Sequence, residues 1–138
     1  MQNHADLLEG LNSQQFKAVT HADGSLLVLA GAGSGKTKVL TTRLAWLIRT
    51  RHLGISEVLA VTFTNKAARE MLNRVGRLLH TDTKYMWVGT FHSIALRLLR
   101  AHYQEAGLPA SFQIIDAGEQ QSLIKRLIKQ KGLDEDRY

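Results

Sequence analysis

The stretch Leu29-Ala30-Gly31-Ala32-Gly33-Ser34-Gly35-Lys36-Thr37-Lys38-Val39-Leu40, LAGAGSGKTKVL, sets three glycines and a lysine between an apolar run and an amphipathic one. Upstream, Ser25 to Ala30 (SLLVLA) reads as a buried strand. Downstream, VLTTRLAWLIRTR places Val39, Leu40, Leu44, Leu47 and Ile48 on one helical stripe. A glycine-rich loop between strand and helix is a phosphate cradle. The glycines let backbone N–H groups turn inward, and the helix brings the positive end of its dipole to the same point. Ala30 to Thr37 carry the P-loop spacing, with four residues between Ala30 and the Gly35-Lys36-Thr37 triplet. Ala30, Gly31, Ala32, Gly33, Ser34 and Gly35 would form the cradle, Lys36 would reach the β- and γ-phosphates, and the Thr37 hydroxyl would help hold Mg²⁺. Ala30 stands where the strict pattern has glycine. The bland alternative, a plain glycine-rich turn, is disfavoured by the strand and helix on either side. The expected ligand is a nucleoside triphosphate with its Mg²⁺.

Outward from this loop, strands alternate with helices. Asn12 caps a helix to about His21, and Gln15 three residues later completes a capping box. EVLAVTF (57–63) and YMWVGTF (85–91) read as strands, followed by helices from about Asn65 to His80 and to about Ala106. This rhythm predicts an α/β fold, a parallel sheet flanked by helices. Pro109, just after Gly107, marks the one clear boundary. Beyond it FQIID (112–116) is a short apolar run. Asp116 with Glu119 caps a helix that turns Leu123, Ile124, Leu127 and Ile128 one way and Lys125, Arg126 and Lys129 the other. No repeat or low-complexity linker interrupts the chain.

Composition narrows the class. At 138 residues and 44% hydrophobic content the chain reads as one globular domain with enough material for a core. The longest apolar run, Leu26 to Ala30, is too short for a bilayer, and Asp6 and Glu9 sit where a signal peptide needs basic and then apolar residues, so a cytoplasmic address without membrane contact is expected. With no cysteine and six scattered histidines, neither a disulfide nor a structural metal site is suggested. The net charge of +6 favours a polyanionic partner.

Three further segments carry candidate chemistry. LNSQQFKAV (11–19) offers Gln15, whose amide can bond adenine at N6 and N7; a surface glutamine is the alternative. AVTFTNKAAREM (60–71) ends a strand and opens a helix, so Phe63 could stack on a base while Thr64, Asn65 and the helix N-terminus meet a phosphate; a core phenylalanine with an Asn cap is the alternative. VGTFHS (88–93) repeats the arrangement with Thr90, an aromatic and His92, although His92 could equally be packed or solvated. Both turns leave the same edge of a parallel sheet as the P-loop, where open α/β folds bind ligands.

Taken in order, LNSQQFKAV, LAGAGSGKT, AVTFTNKAAREM and MWVGTFHS resemble the Q motif and motifs I, Ia and Ib of superfamily 1 DNA helicases of the UvrD/Rep/PcrA group. The wording RLLRAH, LP, FQIID, RLIK and LDED adds to the likeness. The resemblance implies a RecA-like P-loop NTPase sheet, with residues 1–107 as the N-terminal part of motor domain 1A and 108–138 as the start of helical subdomain 1B. It implies an ATP-dependent 3′→5′ helicase and single-strand translocase, acting in DNA repair and replication on single strands and single-/double-strand junctions beside repair proteins. Gln15 then matches the adenine-reading glutamine. Gly33, Gly35, Lys36 and Thr37 match the phosphate and Mg²⁺ ligands, and Phe63, Thr64, Asn65, Thr90 and His92 the single-strand contacts. Lys38 stands where many relatives have an arginine beside the adenine, and a lysine has no planar guanidinium to stack.

Family members are several times longer, with a Walker B Asp-Glu pair and arginine fingers that do not occur in these 138 residues. FQIID superficially looks like a strand ending in a Walker B aspartate, but Asp116 leads into a capped amphipathic helix and aligns with the start of 1B. Residues 1–138 alone are therefore expected not to turn over ATP. Two other classes stay open: a P-loop kinase, which would lack the TFTN and TFHS turns, and a nucleotide- or DNA-binding piece without catalysis.

Overall fold

The computed structural model describes residues 5–22 and 24–133. The chain divides between Leu98 and Leu99 into two compact units.

In the first unit, a short helix α1 (Ala5–Leu8) precedes α2 (Ser13–Thr20). The predicted capping box is present: Gln15 N donates to Asn12 Oδ1 at 2.9 Å and Asn12 N donates to Gln15 Oε1 at 3.1 Å. The long helix α3 (Lys36–Arg51) follows the glycine loop. A 3₁₀ turn (Ile55–Glu57) leads to β1 (Leu59–Thr62), then α4 (Asn65–Leu79), β2 (Trp87–Thr90) and α5 (Phe91–Ala101). β1 and β2 pair in parallel, with Leu59 opposite Trp87 and Thr62 opposite Thr90, and α4 makes the crossover that parallel strands require. The fold is thus a mixed helix/strand arrangement on a small parallel sheet.

The core lies where α3 and α4 pack against that sheet. Leu44 and Ile48 from α3, Met71 and Val75 from α4, Ala60 from β1 and Met86 before β2 form one buried cluster. Their spacing of four residues on each helix is what turns them to one side. Arg97 on α5 lies over the Trp87 ring at 3.9 Å and donates to Met86 O at 3.1 Å, binding α5 to the start of β2. Arg49 on α3 donates to Asp6 Oδ2 at 2.7 Å and to Leu78 O at 2.6 Å, tying α1 and the end of α4 to one helix.

Three expectations need correction. Ser25 to Ala30 is neither strand nor buried: it is irregular, with Leu27 82% and Leu29 86% exposed. A strand exists only through a neighbour's hydrogen bonds, and no described strand pairs with this stretch. Leu40 does not join the inward stripe of α3; it is exposed, while Val39, Leu44 and Ile48 are buried. The fifth helix ends at Ala101 rather than near Ala106.

In the second unit, Phe112 to Asp116 forms no strand and leads into α6 (Ala117–Gln130). Asp116 and Glu119 close a capping box as predicted, at 2.8 and 2.9 Å. The stripe of α6 faces one way but is not covered: Leu123, Ile124 and Leu127 are exposed. The LDED wording runs past Leu133, the last described residue. Among the described residues no helix is long and apolar enough to cross a membrane.

Candidate nucleotide and nucleic-acid site

Backbone geometry makes the glycine loop. Gly33 and Gly35 have φ of 74° and 83°, the left-handed region that side chains with a Cβ rarely adopt. Gly35 is also the N-cap of α3, and a Cβ built there would lie 2.9 Å from Gln15 Nε2, so a side chain would displace that amide.

The loop is folded on its own polar groups. Lys36 Nζ donates to Gly31 O at 2.6 Å and to Ala30 O at 3.1 Å. Ser34 Oγ donates to Gly31 O at 2.7 Å, and Gln15 Nε2 donates to Ser34 O at 3.1 Å. Gln15, Ser34, Lys36 and Ala30 share the wall of a cavity of about 220 Å³ with Asn12 and Val39. Residues named from two separate segments of the sequence, Gln15 from one and Ala30, Ser34 and Lys36 from the other, thus come together. Thr37 is exposed in the first turn of α3. Gly31 and Ala32 are exposed along the loop.

Lys38 looks elsewhere. Its Nζ donates to Gly10 O at 2.6 Å, and it lines a second cleft of about 400 Å³ with Glu9, Thr41, Arg74 and Arg77. In the same cleft Asp6 carries a carboxyl held below its ordinary value, chiefly by its hydrogen bond from Arg49.

Parallel pairing puts the ends of β1 and β2 side by side; β2 runs directly into α5, and Phe63 and Thr64 join β1 to α4. At the first corner Phe63 is 88% exposed and so takes no part in the core of the described residues. Thr64, not Asn65, is the N-cap: its Oγ1 accepts Ala67 N–H at 3.1 Å, and Asn65 is the exposed first residue of α4. At the second corner Thr90 is buried, and its hydroxyl accepts Ser93 N–H at 3.2 Å. His92 lies exposed one residue into α5. Gly89 sits so close to Ser93 Oγ that a side chain there would collide with it.

The two corners meet through a residue absent from the sequence-derived site. Phe91, 56% exposed, holds its ring centroid 5.5 Å from that of Phe63 at an interplanar angle of 54°. The repeated Thr-Phe at both strand ends was the available signal; only the parallel register turned it into a contact.

The model of the UvrD/REP helicase N-terminal domain matches residues 11–138, and the chain belongs to that family. It is 54% identical to DNA helicase II of Escherichia coli (strain K12) over 132 residues, 96% of this chain and 18% of that protein. It is 46% identical to the ATP-dependent DNA helicase PcrA of Bacillus subtilis, again over 96% of this chain and 18% of the relative. The ATP-dependent DNA helicase UvrD1 of Mycobacterium tuberculosis (strain ATCC 25618 / H37Rv) is 49% identical over 133 residues, 17% of its length. The chain therefore spans less than a fifth of these curated relatives.

Proposed function

We propose that these residues are the N-terminal ATP-binding part of an ATP-dependent 3′→5′ DNA helicase and single-strand translocase. Residues 1–107 would belong to a RecA-like motor domain and 108–138 to the start of its helical insert. The observation that carries the reading is the convergence of Gln15, Ser34 and Lys36 on one loop at the N-terminus of α3, in a chain of this helicase family.

The residues fit a nucleotide. Lys36 is a cation now satisfied by two backbone carbonyls, so an incoming phosphate exchanges one set of oxygens for a more negative one. Gly33 and Gly35 keep the backbone open to close approach, and Gln15 stands over the loop to read the base. Thr37 would give one hydroxyl to Mg²⁺, whose remaining ligands would be phosphate oxygens, water and acids outside these residues. Bound ATP supplies the free energy of the cycle, and this chain holds and orients it. The second role is nucleic-acid contact. Phe63 would offer a ring face to a base, and Asn65, His92 and the start of α4 would meet the backbone of a single strand at a junction. Repair proteins would be the partners of the complete protein and the cytoplasm its place of action.

The test is ATP turnover by the complete protein that carries this chain, with and without single-stranded oligonucleotide. A large stimulation is expected. Turnover indifferent to DNA would favour a P-loop kinase and overturn the motor reading.

A further inference from the structure

We infer that Arg43 is a positioning residue for nucleotide recognition: by clamping the far end of α2 to the loop helix α3, it presets Gln15 against the P-loop. The inference rests on the reading of Gln15 as the base-contacting residue.

α2 has eight residues, too few for a helix to persist without outside support. Its last carbonyls have no intrahelical donors and must find them elsewhere. Arg43 Nη1 supplies them: it donates to Ala18 O at 3.1 Å, Val19 O at 3.0 Å and His21 O at 3.0 Å. A guanidinium at this end also complements the negative pole of the helix dipole. Arg43 stands on α3, whose first turn carries Lys36 and Thr37.

At the opposite end of α2 the same helix is held again. Gln15 Nε2 donates to Ser34 O at 3.1 Å, its Oε1 accepts from Asn12 N at 3.1 Å, and just upstream Lys38 Nζ holds Gly10 O at 2.6 Å. Both ends of α2 are therefore referred to α3 and the glycine loop that leads into it. With the C-terminal end loosened, α2 can rock about its held N-terminal end, and the Gln15 side chain, roughly 8 Å from that loosened end at 1.5 Å per residue, turns with it. Such a swing would draw Gln15 Nε2 away from Ser34 O, the one loop atom it holds at 3.1 Å. Among the described residues the side-chain hydrogen bonds of Arg43 go to carbonyls at the end of α2 and its C-cap His21, so its effect on a nucleotide would pass through that helix.

The experiment compares kcat and KM for ATP and GTP in the complete protein carrying Arg43→Met, Gln15→Ala, both, or neither, together with thermal melting. Gln15→Ala should narrow the preference for ATP by about tenfold, the usual worth of one bidentate base contact. Arg43→Met should narrow it in the same direction by several-fold, through KM and not kcat, and the double variant should narrow it no further than Gln15→Ala alone. Should Arg43→Met not fold, Arg43→Lys replaces it. Its shorter stem keeps a cation near the helix end without reaching all three carbonyls, and the preference should fall by a few-fold while melting stays near the wild type. A folded Arg43 variant with undiminished ATP preference, or losses that multiply in the double variant, would overturn the inference while leaving Gln15 in place. If Gln15→Ala itself changed nothing, the base-reading role would fail first, and the inference with it.

Discussion

The glycine loop and the two aromatic corners use the same construction, a chain segment running straight into a helix, yet they present opposite chemistry. At the loop the polar groups face one another: Lys36 holds the carbonyls of Ala30 and Gly31, and Gln15 holds that of Ser34. At the corners the hydroxyls of Thr64 and Thr90 are used on the first N–H groups of α4 and α5, and what remains outward is the Phe63–Phe91 pair. The difference follows from how each helix start is satisfied. The threonine caps use the local hydroxyls within the chain, and the two rings are left at the surface of the described residues. A glycine start has no side chain to cap with and leaves its N–H groups available to an anion.

The contrast can be broken most strongly at the loop. Lys36→Ala should lower ATP turnover of the complete protein by about 10²- to 10³-fold, the scale of losing one charge-stabilising donor, with melting unchanged because Lys36 is exposed. Near-normal turnover in steady-state assays would end the P-loop reading. At the corners, Phe63→Ala should weaken binding to a single-stranded oligonucleotide by about 1–3 kcal/mol. Stacking releases no counterions, so the salt slope should hold, whereas loss of a phosphate-contacting cation would lower it by about one unit. With Phe63 88% exposed, its removal should not reproduce the stability loss of a core truncation.

A smaller effect separates capping from ligand contact. Thr64→Ala should cost about 1 kcal/mol of stability by thermal unfolding, through the lost bond to Ala67 N, and a Ser replacement should restore it. The smallest effect concerns α1 beside the loop helix. Asp6 has a lowered pKa because Arg49 binds its charged form, so its contribution is present above the ordinary carboxylate value and is lost as pH falls through the lower folded value. Asp6→Asn should therefore melt slightly earlier at neutral pH, and the gap should close below about pH 4 and downward. A gap that widened in acid would show the pair to be something other than an Asp–Arg bond.

What the sequence determined by itself is everything settled within a few residues. The capping boxes at Asn12–Gln15 and Asp116–Glu119 form as written because donor and acceptor are three residues apart. Gly33 and Gly35 take positive φ where the motif needs it, and α4 turns Ala68, Met71 and Val75 inward on its own period. Tertiary structure decided whatever needed a distant partner. The apolar run 25–30 has strand composition but no described strand beside it, so its leucines face out; α6 has an equally good stripe that stays uncovered. The Phe63–Phe91 contact required parallel register between two strands, and Arg43 had to reach carbonyls 22 to 25 residues away. Periodicity and capping are local preferences of the backbone, whereas burial and long-range hydrogen bonds depend on which surfaces the folded chain brings together.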